Sequence, residues 1–244
     1  MFKSLFTAAA LLFCGAGAAQ AASGDCAGLT KLNIPNVSIA RATLVTAGAA
    51  VSTGATAPPL TFDIDFCRVN AWAAPTSDSK IGIEVWLPVK EKWNGKYLQV
   101  GNGGYAGAIN PRSLAAGLKR GYAVAATDDG NQMGGNGITA AWALGHPEKI
   151  VDFAWRAVNQ TTLAAKTIVL NYEGAPAKLA YFMGCSTGGR EALLSAQRFG
   201  STLALNPGSL MGAQFNAQAE RTDVAPTFAL WDSATNTAVL ERLK

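Results

Sequence analysis

The sequence predicts an α/β fold, a mainly parallel sheet with helices on both faces, and three observations predict it. Strand-like and helix-like patterns alternate from Ile81 to Phe199. Two glycine-rich turns, Gly101 to Gly107 and Gly184 to Gly188, each follow a short apolar run of strand type. The 244 residues are 49% hydrophobic and 15% charged, enough apolar material for a core under each sheet face. The formal net charge of +4 is spread along the chain with no run of Lys or Arg. That excludes a nucleic-acid footprint or a basic membrane-binding face and points to small-molecule partners.

At the start, Lys3, the apolar run Leu5 to Phe13 and the small-residue site Ala19-Gln20-Ala21 read as an export signal over residues 1–21. Residues 22–244 then form one domain, secreted or periplasmic, and no other stretch is long and apolar enough to span a bilayer. Cys14 leaves with the signal, so Cys26, Cys67 and Cys185 remain. In an oxidising compartment Cys26 and Cys67 are a natural pair, worth roughly 4 kcal/mol in the chain-entropy model. Cys185 is then left over, with a missing partner or as a buried free thiol. The cysteine spacing offers no metal site, and no cofactor is expected.

Residues 22–75 read as a β-rich segment, with Leu44-Val45 and Phe62-Asp63-Ile64 as strands and Pro58-Pro59 as a corner. Ile81, Ile83, Val85 and Leu87 alternate with Gly82, Glu84 and Trp86, the pattern of a half-buried strand. Lys90 to Gly95 is a turn and Tyr97 to Val100 the next strand. Two readings of the following glycine loop compete. In one, Gly101, Gly103 and Ala106 form a dinucleotide fingerprint, with Asp128 and Asp129 ending the strand Ala123 to Thr127. Pro111 counts against it, because it marks a helix start well past the glycines. In the other, favoured reading, this glycine loop after a core strand turns its N–H groups toward an oxyanion.

Gly130 to Gly137 reads as a surface loop. His146, the chain's one histidine, stands at a helix entrance beside Pro147, as a residue bonded to backbone. Ile150, Val151, Ala154, Trp155, Val158, Leu163 and Ile168 then recur at helical spacing to about Leu170. The strand Leu179 to Met183 runs into Gly184-Cys185-Ser186-Thr187-Gly188 and at once into a helix that closes at Gly200. A G-x-S-x-G sequence between strand and helix is a nucleophile elbow, which makes Ser186 the nucleophile and the Thr187 amide an oxyanion donor. Thr202 to Leu205 reads as a short strand before the turn Asn206-Pro207-Gly208, and residues 200–244 as a short divergent tail.

GNGGYAG, TDDGN, WALGHPEKIVDFAWRAVNQTT, YFMGCSTGGREALLSAQRF and LNPG, in that order, make the chain resemble the tannase and feruloyl esterase family of the α/β-hydrolase superfamily from about Cys26 to Gly208. The resemblance implies an α/β-hydrolase-type sheet and a secreted serine carboxylesterase acting on phenolic esters such as gallates or ferulates. Carried onto this chain, Ser186 is the nucleophile, Thr187 with the Gly103/Gly104 loop the oxyanion hole, and Cys185 a half-cystine beside the nucleophile. The family pattern continues with a lid, a calcium site, then an Asp and a Cys-adjacent His. None of these is legible in the 58 residues after Ser186. Asn131 and Asn159 stand where family histidines are expected, and Asp223 and Asp232 are acids without a histidine to orient. The chain therefore reads as the front portion of a family member, truncated or degenerate, incomplete at the C-terminus and inactive as it stands. Two alternatives stand beside the esterase: a non-catalytic remnant or binding protein, and a nucleotide-binding oxidoreductase.

Overall fold

The computed structural model describes residues 24–52, 58–132 and 139–199, together with the backbone of five short strands between 204 and 242. The expected export signal lies outside the described residues. So do Gly200, Thr202 and Gly208, and most of the loop at 130–137.

A six-stranded sheet carries the molecule. Its strands are β1 (Val37–Val45), β4 (Phe66–Ala73), β5 (Ile81–Pro88), β6 (Lys96–Val100), β7 (Ala123–Thr127) and β8 (Leu179–Met183), in the spatial order β1-β4-β5-β7-β6-β8. A separate two-strand ribbon pairs β2 (Ala50–Val51) with β3 (Leu60–Thr61). The first three sheet strands meander antiparallel, and β5 pairs antiparallel with β7. From there β7, β6 and β8 run parallel, the arrangement that helical crossovers produce. This is the α/β-hydrolase-type sheet expected, with its parallel part at the end that bears the elbow.

Each face has its own core. Helix α1 (Pro111–Leu118) buries Leu114, Ala115 and Leu118 against Trp86, Leu98, Val100 and Val124. Pro111 opens it and the Asn110 side chain caps it, accepting from the Arg112 amide at 3.0 Å. On the other face Ala157, Ala164, Ala165, Ile168 and Val169 of α3 (Ala157–Glu173) pack on Ile83, Val85, Tyr97 and Ala125. Gly174, at φ +74°, ends α3 in the left-handed conformation.

Several sequence expectations are corrected. Alternation in β5 suggested one wet face, yet all eight of its residues are buried, because the polar alternates are satisfied internally. Glu84 accepts from Arg68 Nε and from Trp86 Nε1, both at 2.6 Å. Phe62 to Ile64 is a bend after β3 rather than a strand, and Phe62 packs edge-on against Phe66 and Trp86. The helix from Pro147 is interrupted: α2 (Pro147–Val151) gives way to a π-helical turn at Asp152–Arg156 before α3.

Cys26 and Cys67 are disulfide-bonded with Cα atoms 5.6 Å apart, fastening the short 3-10 turn at Ala27–Lys31 to β4. Beyond α4 (Thr187–Phe199), β9 (Ala204–Pro207) includes Asn206 and Pro207, which were expected in a turn. Of the rest, β10 (Ala213–Phe215) pairs with β11 (Arg221–Asp223), and β12 (Thr227–Asp232) lies between β9 and β13 (Thr237–Arg242).

Candidate active site

Three parallel strands end side by side, and each hands over to a loop at the same edge of the sheet, where open α/β sheets bind their ligands. Strand β8 leads into the elbow, β6 into the loop Gly101 to Gly107, and β7 into Asp128 to Asn131.

At the elbow Ser186 has φ +56°, a left-handed conformation that a non-glycine residue adopts only when its surroundings enforce it. The enforcement is visible. A Cβ on Gly184 would overlap the Gly188 backbone, with the Gly188 Cα at 2.6 Å. One on Gly188 would lie 3.0 Å from the Asn102 carbonyl oxygen. The strand end, the helix start and the glycine loop thus share a space without room for side chains, and the bend directs Ser186 outward, where it is exposed. Thr187 is the first residue of α4, so its amide has no acceptor within the helix.

The glycine loop is fastened to the elbow through carbonyls. Gly188 N donates to Asn102 O at 2.8 Å, and Thr187 Oγ1 donates to Gly104 O at 2.5 Å. A trans peptide points its N–H opposite to its C=O, so the Gly103 amide faces away from the start of α4. The Gly103 carbonyl accepts from Ala106 N at 3.0 Å, which turns the Gly104 amide out of that small turn. Among the described residues neither the Gly103 nor the Gly104 amide donates to a protein group.

This geometry removes the dinucleotide reading. The next helix starts at Pro111, beyond the loop, and Asp128 and Asp129 are 5% and 0% exposed, out of reach of a ribose. Asp128 is engaged instead by the amides of Gly82 and Gly130 and by Gln132 Nε2. Burial raises its pKa, with those hydrogen bonds pulling the other way.

Sequence patterns do not single out the groups behind the elbow. Glu191 of α4 is 1% exposed, and its Oε2 accepts from the Asn102 amide at 3.3 Å. Asn102 Nδ2 donates to Thr127 O at 2.8 Å. Arg190 reaches the π-helical turn, donating to the carbonyls of Ala154 and Phe153 at 2.9 and 3.0 Å, with its guanidinium 4.6 Å from the centre of the Phe153 ring. Phe153 in turn meets Tyr105 of the glycine loop and Trp142. The available signal was Glu191 at three residues from Gly188, a charge on the helix face that Gly188 buries.

His146 stands at the helix entrance as expected, but its ring makes no capping bond to backbone. Its carbonyl accepts from Lys149 and Ile150, and its ring Nδ1 lies 2.7 Å from Asp78 Oδ1. Among the described residues no histidine or carboxylate hydrogen-bonds Ser186. Cys185 is free and exposed, so the alternative of a buried thiol is corrected. Asp223 and Asp232 close β11 and β12, with only their backbone described.

Comparison with known proteins agrees with this architecture. The family model described as tannase and feruloyl esterase matches residues 67–204. An uncharacterized esterase of Xanthomonas campestris pv. campestris is 44% identical over 178 residues, 73% of this chain and 30% of that one. A probable feruloyl esterase B-2 of Aspergillus flavus is 38% identical over 136 residues, 56% of this chain and 25% of that one. The chain thus spans less than a third of the length of these relatives. Among solved structures, feruloyl esterase B from Aspergillus oryzae superposes with a TM-score of 0.64 at 31% identity, covering 71% of this chain and 34% of that one. Tannin acyl hydrolase from Aspergillus niger gives 0.52 at 30% identity, covering 68% of this chain and 32% of that one.

Proposed function

The chain belongs to the tannase and feruloyl esterase family, and from that premise we propose that it carries the nucleophile and oxyanion cradle of a secreted serine carboxylesterase acting on small phenolic esters. The observation that carries the proposal is Ser186 at φ +56°, exposed between two glycines that the packing of three backbone segments requires. In the reaction, Ser186 Oγ attacks the ester carbonyl carbon and the carbonyl oxygen becomes an oxyanion held by the Thr187 amide and the Gly103/Gly104 loop. The alcohol then leaves with a proton, and water releases the acid from the acyl-serine. Of the two loop amides, Gly104 is the better donor, since the Asn102 carbonyl bond turns Gly103 away from the helix start. The Cys26–Cys67 disulfide supports an oxidising, extracytoplasmic setting. No helix among the described residues is long and apolar enough to cross a membrane.

One observation favours a second reading, a binding protein with the same cleft. No described residue is placed as general base to Ser186, and His146 is held by Asp78. Loss of the base from a serine triad lowers the rate by about six powers of ten while oxyanion stabilisation persists. The esterase reading therefore expects slow aryl-ester hydrolysis that Ser186→Ala abolishes and that added imidazole raises only when Ser186 is present. Equal turnover by Ser186→Ala, with and without imidazole, would leave the binding protein.

A further inference from the structure

Behind the elbow two carboxyl groups are buried against each other. Asp129 follows β7, is 0% exposed and holds φ +59°. Its neighbour is Glu191 of α4. Neither oxygen of Asp129, nor Oε1 of Glu191, receives an N–H or O–H from the protein. Two ionised carboxylates in that position would repel each other in a medium that cannot screen them. A single proton resolves this: a protonated Asp129 donates to Glu191 Oε1, leaving Glu191 Oε2 to accept from the Asn102 amide.

We propose that Asp129 and Glu191 act as one proton-sharing pair that positions the oxyanion loop against the nucleophile elbow. The connection is continuous. Asp129 holds Glu191, Glu191 holds the Asn102 N–H, and the Asn102 carbonyl holds Gly188 N–H, two residues after Ser186. Loop and elbow are thereby fixed relative to each other through Asn102, which places the loop amides with respect to the serine oxygen. Neither carboxyl touches the substrate; both are positioning residues. The inference rests on the esterase reading for its catalytic meaning, but its structural content does not need turnover.

The charges around the pair set its pH behaviour. Burial raises the Asp129 pKa well above the ordinary carboxylate range, and the Glu191 charge raises it further, with the Arg190 cation pulling down. Asp128, next in the chain, is directed to the Gly82 and Gly130 amides. Asp152 lies across Gly130 and is held by Arg156 and Ser79. A group with a raised folded pKa contributes stability that is complete below its unfolded pKa and is lost as pH rises through the folded one. The clamp therefore loosens on the alkaline side.

The test compares wild type with Asp129→Asn, whose amide supplies the same donor without a proton to lose, and with Glu191→Gln. Subtracting the infrared spectrum of Asp129→Asn from that of wild type at neutral pH is expected to leave a protonated-carboxyl band, since other buried acids such as Glu173 contribute equally to both and cancel. Hydrogen-exchange protection of peptides covering 96–107 and 179–199 is expected to fall severalfold in wild type between pH 6 and 9, and to stay level in Asp129→Asn. Absence of the band, or equal protection profiles in both proteins, would overturn the pair. Should Asp129→Asn fail to fold, the profile of Glu191→Gln decides: it removes the charge that helps Asp129 keep its proton, so its profile must be displaced from that of wild type, and an identical profile overturns the pair. If Ser186 proves inert while the exchange profiles differ, the esterase reading fails and the pair stands.

Discussion

Gly184 and Gly188 stand where the elbow leaves no space for a side chain, and Gly103 stands where it does. An alanine Cβ at 188 would crowd the Asn102 oxygen at 3.0 Å and the Gly101 backbone at 3.1 Å. One at 184 would overlap the carbonyl group and Cα of Gly188. In each case backbone has to move, so each substitution is expected to lower stability by about 1–3 kcal/mol and to slow labelling of Ser186 by a fluorophosphonate. At Gly103 the place a methyl would take has no neighbour within 4 Å, and the backbone has no positive φ. Gly103→Ala is therefore expected to unfold at the wild-type denaturant concentration, within about 0.5 kcal/mol. A wild-type midpoint for Gly188→Ala would show that the three backbone segments are not in contact. These residues were the legible part of the site, because a close approach of backbones demands glycine and leaves it in the sequence as a motif.

At the level of elements, the π-helical turn shows what the sequence conceals. Spacing through Ile150, Ala154, Trp155 and Val158 fits an uninterrupted helix, since one widened turn shifts the apolar stripe too little to break its pattern. What distinguishes it is tertiary: Arg190, 36 and 37 residues further along the chain, donates to the carbonyls of Ala154 and Phe153. Arg190→Met keeps much of the side-chain volume but leaves both carbonyls without that donor, and is expected to cost about 2–3 kcal/mol in denaturant unfolding. Arg190→Lys, with a single compact ammonium, is expected to fall between the two. If Met equals Arg, the guanidinium is not what holds α4 against the turn. The same distinction explains the other misreadings. Strand positions β6, β7 and β8 followed from local runs between turns, whereas full burial of β5 depends on Arg68 and Trp86 closing over Glu84. Glu191 was hidden for a related reason, because a helix pattern shows that a charge is on the inner face but not which carboxyl it meets there.

Across the whole molecule the buried acids have one direction in common. Burial raises the pKa of Asp128, Asp129 and Asp152, and it pushes Glu173, 2% exposed at the end of α3, up to about 7 with the Glu91 charge adding and Lys90 opposing. In the unfolded chain these groups ionise near pH 4, so between there and the folded values the native state holds more protons than the unfolded one. Stability conferred by the neutral forms is complete below about pH 4 and declines as pH rises, with the Glu173 contribution disappearing through about 7. The linkage of these four acids therefore favours the acidic side of neutrality. Glu173→Gln removes the loss that falls around neutral pH without changing the size of the side chain. It is expected to raise stability at pH 8 by on the order of 2 kcal/mol, and to leave it nearly unchanged at pH 4.5, where the wild-type residue is already protonated in the folded chain. Thermal unfolding of both proteins from pH 4.5 to 8.5 checks this, and parallel curves would mean that Glu173 ionises in the native state as freely as in the unfolded chain.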